Sequence, residues 1–190
     1  MQRSFDIIFS SIALVLLSPF FLLLMLILRV TGEGEIFFRQ NRVGLGGKYF
    51  KLLKFATMLK DSPNIGTGTL TVKDDPRVLA IGRILRKTKI NELPQLINIF
   101  NGDMSIIGPR PQTKRCFNAF PPSSQNEIIK VRPGLSGIGS IIFRDEENMM
   151  YANNNPDKFY NEIVMPYKGS LEDWYVSHQN IASYFSLISL

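Results

Sequence analysis

Cysteine and histidine are almost absent from this chain of 190 residues. It contains one of each, Cys116 and His178. A single cysteine cannot form an intrachain disulfide, and one cysteine with one histidine cannot build a Cys/His zinc cluster. Any metal bound here must therefore be a hard ion held by oxygen. Internal repeats and low-complexity tracts are also missing, which excludes a repeat architecture.

Acidic residues are outnumbered by basic ones, and the excess is uneven. The net charge is +6. Within residues 1–60 the basic residues are Arg3, Arg29, Arg39, Arg42, Lys48, Lys51, Lys54 and Lys60, and the acidic ones are Asp6, Glu33 and Glu35. Because this excess flanks an apolar run, it suits the anionic cytoplasmic leaflet of a membrane. A nucleic-acid binder would also be basic, but no binding motif is present and the apolar run would be unexplained, so we expect no nucleic acid partner.

The apolar run extends from Ile7 to Leu28 and is long enough to cross a bilayer, which needs roughly 20 residues. A signal peptide is disfavoured because no small-residue cleavage site follows. Ser18-Pro19 lies in the middle, where the proline removes a helical hydrogen bond and clashes with the carbonyl of Val15. With basic residues on both flanks, a bend there favours a helix that returns to the side from which it entered. A spanning helix with a proline kink is the alternative.

Residues 35–58 change to two short, aromatic-rich apolar runs around a glycine turn, which predicts a β-hairpin. A glycine-rich loop of residues 61–73 follows and reads as a surface loop. Residues 78–87 then have helical spacing. Asp74 and Asp75, just before that helix, predict either an N-cap or a metal site.

The most informative stretch follows, from residue 86 to residue 111. Its apolar residues at helical spacing predict a short helix with one buried face: Leu93, Leu96, Ile97 and Phe100. Pro94 suits the first turn of this helix. Asn91 and Glu92 would therefore lie at the positive end of the helix dipole, where an anion or a metal-bound diphosphate is stabilised.

After the short helix, Pro109 and Pro111 fix the backbone on both sides of Arg110. A guanidinium held in this way suits bidentate binding of a phosphate. The other basic side chains that we consider for a diphosphate are Arg83, Arg86 and Arg132. An oxygen-bound Mg²⁺ would complete the neutralisation of such a substrate.

The run R-K-T-K-I-N-E-L-P-Q-L-I-N, followed by G-D-M-S-I-I-G-P-R-P, resembles the core of the bacterial sugar transferase family, the monotopic phosphoglycosyl transferases, here in a small single-domain form. The resemblance extends from about Arg3 to about Gly139, and Arg132-Pro133-Gly134-Leu135-Ser136-Gly137 matches another of its motifs. It implies an enzyme that transfers a sugar 1-phosphate from a UDP-sugar to polyprenyl phosphate with Mg²⁺ and releases UMP. It also implies the helix break at Ser18-Pro19.

Two positions depart from the family pattern: Asn91 stands where an aspartate is usual, and Ala56 where an arginine is usual. In the family the aspartate attacks the phosphate, whereas an amide is a poor nucleophile. The resemblance therefore leaves three routes. Another carboxylate attacks, either Glu92 or one of Asp145, Glu146 and Glu147; or the polyprenyl phosphate attacks directly while Asn91 orients oxygens; or the chain is an inactive natural or engineered variant.

Taken together, the residues and the resemblance predict a helix-rich α/β protein at the cytoplasmic face of a bacterial inner membrane. Residues 1–32 would form the re-entrant membrane helix, and residues 33–190 the catalytic domain. Aromatic-rich helical spacing in residues 159–190 predicts amphipathic helices at the lipid interface. Catalysis is assigned to Glu92 and Asn91, with Glu92 as the metal ligand, and substrate binding to Arg83, Arg86, Pro109, Arg110, Pro111 and Arg132. The expected partners are a UDP-sugar, polyprenyl phosphate and membrane lipid, and a homodimer is left open. A catalytically disabled membrane scaffold is the alternative.

Overall fold

The structure, a computed structural model, describes residues 2–65, 75–145, 149 and 155–190. Helices account for most of them, so the predicted helix-rich α/β class is confirmed. The helices are α1 (Gln2–Val30), α2 (Ala80–Lys87), α3 (Gln95–Asn101), α4 (Lys114–Asn118), α5 (Pro122–Ile128), α6 (Ile138–Ile142), α7 (Pro156–Phe159), α8 (Met165–Ser177) and α9 (Ile181–Ile188). The strands are β1 (Phe37–Val43), β2 (Tyr49–Phe55), β3 (Ser105–Ile107) and β4 (Gly134–Ser136). A π-helical turn, Tyr160–Val164, joins α7 to α8.

The chain divides into two compact units. The first unit comprises Met1–Ile8, Asn41–Lys51 and Ile99–Leu190. The second unit comprises Phe9–Gln40 and Leu52–Asn98. The predicted boundary at residue 32 concerns the membrane rather than this division, and it stays a prediction.

Helix α1 is continuous from Gln2 to Val30, with Pro19 inside it. Proline cannot donate a hydrogen bond to the carbonyl four residues earlier, which here belongs to Val15. The hydroxyl of Ser18 donates to that carbonyl oxygen at 2.8 Å and so replaces the missing partner. The expected break at Ser18-Pro19 is therefore not an end of the helix, and the re-entrant path stays a prediction.

One face of α1 builds the core of the second unit. Phe21, Leu24 and Leu28 are buried there against Phe55 of β2 and Leu85 of α2. The remaining faces of α1 are exposed, and its most apolar window has a mean hydropathy of 2.8 with 17% of it buried. Among the described residues, α1 is the one helix long and apolar enough to cross a membrane.

Strands β1 and β2 form a two-stranded sheet, and the short connection between them confirms the predicted hairpin with a glycine turn. Gly46 and Gly47 in this connection have φ values of 65° and 73°, which residues with a Cβ rarely adopt. The helix predicted over residues 78–87 is confirmed as α2.

The first unit contains the parallel pair β3 and β4, in which Ser105 is opposite Gly134 and Ile107 is opposite Ser136. The backbones approach closely just beyond this pair. A Cβ on Gly134 would lie 2.1 Å from the amide nitrogen of Gly108, so a larger residue would force the start of β4 away from Gly108. Glycine is therefore required there by packing.

The start of α1 is held inside the first unit by the buried Asp6. Its Oδ1 accepts hydrogen bonds from the hydroxyl of Ser105 (3.0 Å), the N–H of Ile106 (3.0 Å) and the hydroxyl of Tyr184 on α9 (2.8 Å). Burial raises the pKa of the Tyr184 hydroxyl, and its bond to Asp6 raises it further. The phenol therefore stays a donor across the physiological pH range.

The aromatic residues of the last two helices divide between the core and the surface. Tyr175 and Tyr184 are fully buried, in a cluster with Ile107 and Leu187. Trp174 on α8 and Phe185 on α9 are exposed by 48% and 38%. The exposed residues keep the predicted lipid-facing role open, whereas the two tyrosines are ordinary core.

Candidate functional site

The turn that carries Glu92 lies in the second unit, between α2 and α3. Lys89 has a left-handed backbone (φ 60°), which is uncommon for a residue with a side chain. It is followed by the 3₁₀ turn Ile90–Glu92 and by the fully buried Pro94. The predicted short helix after Asn91 and Glu92 is confirmed as α3, but it begins at Gln95 and so does not include Leu93.

Glu92 forms an ion pair with Lys54 of β2. Glu92 Oε1 and Lys54 Nζ are 2.6 Å apart, and their side chains are 14% and 19% exposed. Strand β2 is also bonded to α3, because the N–H of Leu53 donates to Oδ1 of the buried Asn98 at 2.9 Å. A cation on a neighbouring strand therefore orients the Glu92 carboxylate.

Asn91 is buried, with 6% of its surface exposed. Its Oδ1 has no hydrogen-bond partner among the described residues. Leaving a buried oxygen without a partner costs roughly 1–3 kcal/mol, so such an atom in a native fold calls for an explanation. A bound cation or hydrogen-bond donor at this oxygen is one such explanation.

Helix α2 positions the two arginines predicted to bind substrate, Arg83 and Arg86. Arg83 is exposed, whereas Arg86 is partly buried with Nη1 3.7 Å from the sulfur of Met58. One turn before Arg86, α2 packs closely on Thr57, because a Cβ on Gly82 would lie 2.2 Å from the carbonyl oxygen of Thr57. The helix thus has one orientation against this segment.

Asp75 does not cap α2, so the capping prediction is wrong. Helix α2 begins at Ala80, with Leu79 in the N-cap position. Asp75 instead forms a buried bidentate pair with Arg77, in which Arg77 Nε and Nη2 lie 2.9 and 2.6 Å from the two carboxylate oxygens. Asp74 lies outside the described residues.

In the first unit, every residue from Gly108 to Gln112 makes a hydrogen bond through its backbone. The N–H of Gly108 donates to the carbonyl of Ser136 (2.9 Å), and the carbonyl of Pro109 accepts from Gly134 (2.8 Å). The N–H of Arg110 donates to the carboxylate of Glu172. Further along, the carbonyls of Pro111 and Gln112 accept from Arg42 Nη1 (3.0 Å) and from the N–H of Val43 (2.9 Å).

We call this segment, residues 108–112, the Arg110 loop. The sequence predicts that two prolines fix its backbone, and the structure adds five hydrogen bonds that do the same. The loop also borders a shallow depression lined largely by apolar residues, among them Val43, Phe117 and Val131. Its role in binding substrate stays a prediction.

Arg132 has an internal contact that its motif did not reveal. Its Nε donates to the carbonyl oxygen of Gly102 at 2.8 Å. Gly102 has φ 94° and closes the turn after α3. Arg3 binds beside this turn, since its Nη2 donates to the carbonyl of Phe100 at 2.8 Å. Part of the Arg132 guanidinium is therefore used to hold a turn.

Sequence reasoning missed Glu172, a carboxylate on α8 that is 1% exposed. Burial raises its pKa to about 7, while the charge of Lys168 and hydrogen bonds from the N–H groups of Arg110 and Gly139 oppose the rise. The one signal in the sequence was the spacing of Lys168 and Glu172, four residues apart on one helix face. That spacing also describes an exposed ion pair, so it could not identify a buried group.

The acidic run proposed as a source of alternative nucleophiles is only partly described. Asp145 is exposed, and Glu146 and Glu147 lie outside the described residues. Within the described ranges, no three His, Cys, Asp or Glu side chains gather as a metal site. Among the described residues, a divalent ion would thus be held by fewer than three of these side chains.

Comparison with known proteins identifies the family to which this chain is similar. A family model described as bacterial sugar transferase matches residues 1–188. The exopolysaccharide production protein ExoY of Sinorhizobium fredii is 37% identical over 159 residues, covering 76% of this chain and 70% of that protein.

Two further relatives are longer proteins whose names state a reaction. A UDP-glucose:undecaprenyl-phosphate glucose-1-phosphate transferase of Caulobacter vibrioides is 37% identical over 144 residues, covering 74% of this chain and 53% of that protein. A UDP-N-acetylgalactosamine-undecaprenyl-phosphate N-acetylgalactosaminephosphotransferase of Aeromonas hydrophila is 36% identical over 143 residues, covering 74% of this chain and 34% of that protein.

Proposed function

This chain belongs to the bacterial sugar transferase family, and we propose on that basis that it transfers a sugar 1-phosphate from a UDP-sugar to a polyprenyl phosphate. In this reaction an oxygen of the acceptor phosphate becomes bonded to the phosphorus that carries the sugar. The bond from that phosphorus to the bridging oxygen breaks, and UMP leaves. The names of the relatives from Caulobacter vibrioides and Aeromonas hydrophila support the reaction class.

The observation that carries the proposal is the Arg110 loop. An arginine recognises a diphosphate well when its backbone is already fixed, because less conformational entropy is lost on binding. The five hydrogen bonds of residues 108–112 meet that requirement. Arg110 is therefore assigned to the diphosphate of the UDP-sugar.

Glu92 is assigned as the catalytic carboxylate, and Asn91 as its auxiliary. The Lys54 ammonium orients the Glu92 carboxylate, which can take a proton or attack phosphorus. The Asn91 amide can only donate or accept hydrogen bonds. We rank attack by Glu92 first, direct attack by the polyprenyl phosphate second, and an inactive chain third.

The same turn suits Mg²⁺, which proteins often hold with one or two carboxylates together with substrate phosphates. Glu92 and Asn91, whose Oδ1 has no partner in the described part of the chain, offer oxygen ligands of the required kind, and these two residues would hold the ion. When bound, the ion would neutralise charge on the diphosphate. Lys54 already contacts Oε1 of Glu92, so this carboxylate pairs with a cation whether or not Mg²⁺ is bound.

Helix α1 is assigned to the membrane, with its two ends on the cytoplasmic face. The support is the length and polarity of the helix, its exposed apolar faces and its basic flanks. Single cysteines at Gln2 and Glu33, in a Cys116→Ser background, should both react with an impermeant reagent from the same side. Labelling from opposite sides would establish a spanning helix instead.

The reaction is tested by UMP release from UDP-glucose and UDP-N-acetylgalactosamine, with undecaprenyl phosphate and Mg²⁺. We expect UMP only when the lipid phosphate is present, and none after chelation of the metal. Absence of UMP with both nucleotides and with a wider panel of UDP-sugars would favour the disabled scaffold.

A further inference from the structure

Glu172 contacts the backbone of two segments that are distant in the sequence, the Arg110 loop and the first turn of α6. Its carboxylate accepts hydrogen bonds from the N–H of Arg110, after β3, and from the N–H of Gly139, after β4. The contact with α6 is close, because a Cβ on Gly139 would lie 2.3 Å from Oε1 of Glu172. A buried carboxylate therefore joins the ends of the two parallel strands.

The charged and titratable groups around Glu172 come mainly from its own helix. Lys168 is buried one turn earlier, with Nζ 5.5 Å from the centre of the Phe143 ring. Asp173 faces α5, where its Oδ2 accepts from the hydroxyl of Ser124 at 2.7 Å. Tyr175 donates its hydroxyl to the carbonyl of Ile107 at 3.1 Å, and its pKa is raised by burial. The Arg110 loop and α6 contribute backbone N–H groups, those of Arg110 and Gly139.

One oxygen of Glu172 has no partner. Oε2 is buried and makes no hydrogen bond within the part of the chain that the structure describes. A carboxylate used only for packing would be costly in this position, since removing a charge from water is unfavourable unless specific contacts compensate. The contacts present are directed at the backbone N–H groups of Arg110 and Gly139.

We infer that Glu172 is a positioning residue that sets the placement of Arg110 by holding the backbone N–H groups of Arg110 and Gly139. This inference rests on the proposed function for its kinetic consequence, but not for its structural one. Glu172 acts through Arg110 rather than by contact with substrate.

Protonation gives this role a pH dependence. An ionised carboxylate accepts hydrogen bonds from N–H groups more strongly than a neutral carboxylic acid does. Because the pKa of Glu172 is about 7, the ionised form predominates above neutral pH and the neutral form below it. Tyr175 stays neutral over this range, because burial raises its pKa. The hold on the Arg110 loop therefore weakens as the pH falls from 8 to 6.

The direct test is hydrogen exchange of the whole detergent-solubilised protein at one pH near 8. Glu172→Gln keeps the shape but not the charge, and should raise exchange at the amides of Arg110 and Gly139 by about tenfold. Asp173→Asn is the matched control, since it removes the neighbouring carboxylate on the same helix and should leave both amides protected. Glu172→Asp keeps the charge, and its exchange rates at the two amides should lie between those of Glu172→Gln and Asp173→Asn.

The kinetic test uses UDP-glucose or UDP-N-acetylgalactosamine, whichever the wild type turns over faster. Glu172→Gln should raise KM by about tenfold with kcat changed less than about threefold. The wild-type KM should rise as the pH falls from 8 to 6, whereas the variant should have a high KM at both values.

The outcomes separate this inference from the proposed function. Wild-type protection of both amides in Glu172→Gln overturns the inference, and so does equal loss of protection in Glu172→Gln and Asp173→Asn. If the wild type turns over no UDP-sugar, the proposed function fails while hydrogen exchange still decides the inference. An active enzyme whose KM is unchanged by Glu172→Gln also overturns it.

Discussion

The Arg110 loop and the Glu92 turn hold their functional side chains in different ways. In the first unit, five consecutive residues are fixed by backbone hydrogen bonds, and the loop keeps its family motif. In the second unit, the Glu92 turn has backbone hydrogen bonds too, from the N–H of Glu92 to the carbonyl of Lys89 (3.0 Å) and from the N–H of Leu93 to that of Ile90 (3.1 Å). It also contains a left-handed lysine, and the amide oxygen of Asn91 has no partner among the described residues. The Arg110 loop is thus bonded to distant parts of the chain, whereas the backbone bonds of the Glu92 turn are local and its carboxylate is oriented by the Lys54 side chain.

Both departures from the family pattern lie in the second unit. Asn91 is on the Glu92 turn, and Ala56 immediately follows β2. Ala56 is 5% exposed, and its N–H donates to the carbonyl of Ile36 at 2.9 Å. The backbone at Ala56 is thus in place, and only the side chain differs. Substitutions in the Glu92 turn should therefore affect catalysis, and substitutions in the Arg110 loop should affect substrate binding.

The largest effect is expected from Glu92→Gln, which removes the carboxylate without changing its size. Loss of a catalytic acid or base costs about 10²–10⁴-fold in kcat, so turnover should fall to the background level. Glu127→Gln is the matched control, because Glu127 pairs with Lys130 at 2.5 Å in an exposed ion pair. If Glu92→Gln retains activity and Asp145→Asn does not, the chemistry belongs to the acidic run and our assignment is wrong.

The next effect concerns stability rather than rate. The pKa of Glu172 is raised from 4.5 to about 7, so the folded state favours the protonated form. Its contribution to stability is therefore complete below about pH 4.5 and is lost as the pH rises through 7. The free energy of unfolding should fall by about 3 kcal/mol across this window. Unfolding midpoints at pH 5 and pH 8 should differ more for the wild type than for Glu172→Gln, and equal differences would contradict the assignment.

Substitution of Arg110 should have an intermediate effect on the reaction. Losing one charge-assisted bidentate contact removes roughly 1.5–3 kcal/mol, so Arg110→Ala should lower kcat/KM by about tenfold to a hundredfold. Arg110→Lys keeps the charge but not the fork, and should recover only part of the loss. The control is Arg115→Ala, which removes an exposed arginine from α4. Full activity of Arg110→Ala would remove the Arg110 loop from the site.

The smallest loss is expected from Asn91→Ala, which should retain a measurable activity, within about tenfold of the wild type. Its amide is an auxiliary whose hydrogen bonds are worth about 1 kcal/mol each. Asn91→Asp is the informative companion. A gain of activity together with a trapped phosphosugar adduct would show that this chain is a disabled form of the covalent enzyme.

Hydrophobic spacing located most helices but not the buried face of α3. Leu96 is buried as predicted, whereas Phe100 is 48% exposed and Ile99 is fully buried. The reason is that Asn98 is also buried, where its side chain accepts a hydrogen bond from Leu53. A periodicity analysis counts apolar residues only, so it cannot recognise a face that contains a satisfied polar residue.

The same limit applies to the buried charges. Asp75 and Arg77 form an internal pair because two carbonyl oxygens also accept hydrogen bonds from the buried guanidinium. These are the carbonyls of Ser62 and Ile65, each 2.7 Å from Arg77 Nη1. Glu172 is buried where the Arg110 loop and the first turn of α6 donate N–H groups to it. Such partners are brought together only by the fold. The Arg110 loop was predictable because prolines restrict the backbone locally.

A labelled substrate decides whether this chain transfers phosphorus together with the sugar. A UDP-sugar carrying ³²P in the phosphate bonded to the sugar would be incubated with the protein, Mg²⁺ and undecaprenyl phosphate. We predict that the label enters the lipid fraction with the wild type and remains in the aqueous fraction with Glu92→Gln. Label that stays aqueous with the wild type while the sugar becomes bound to lipid would contradict the proposed reaction.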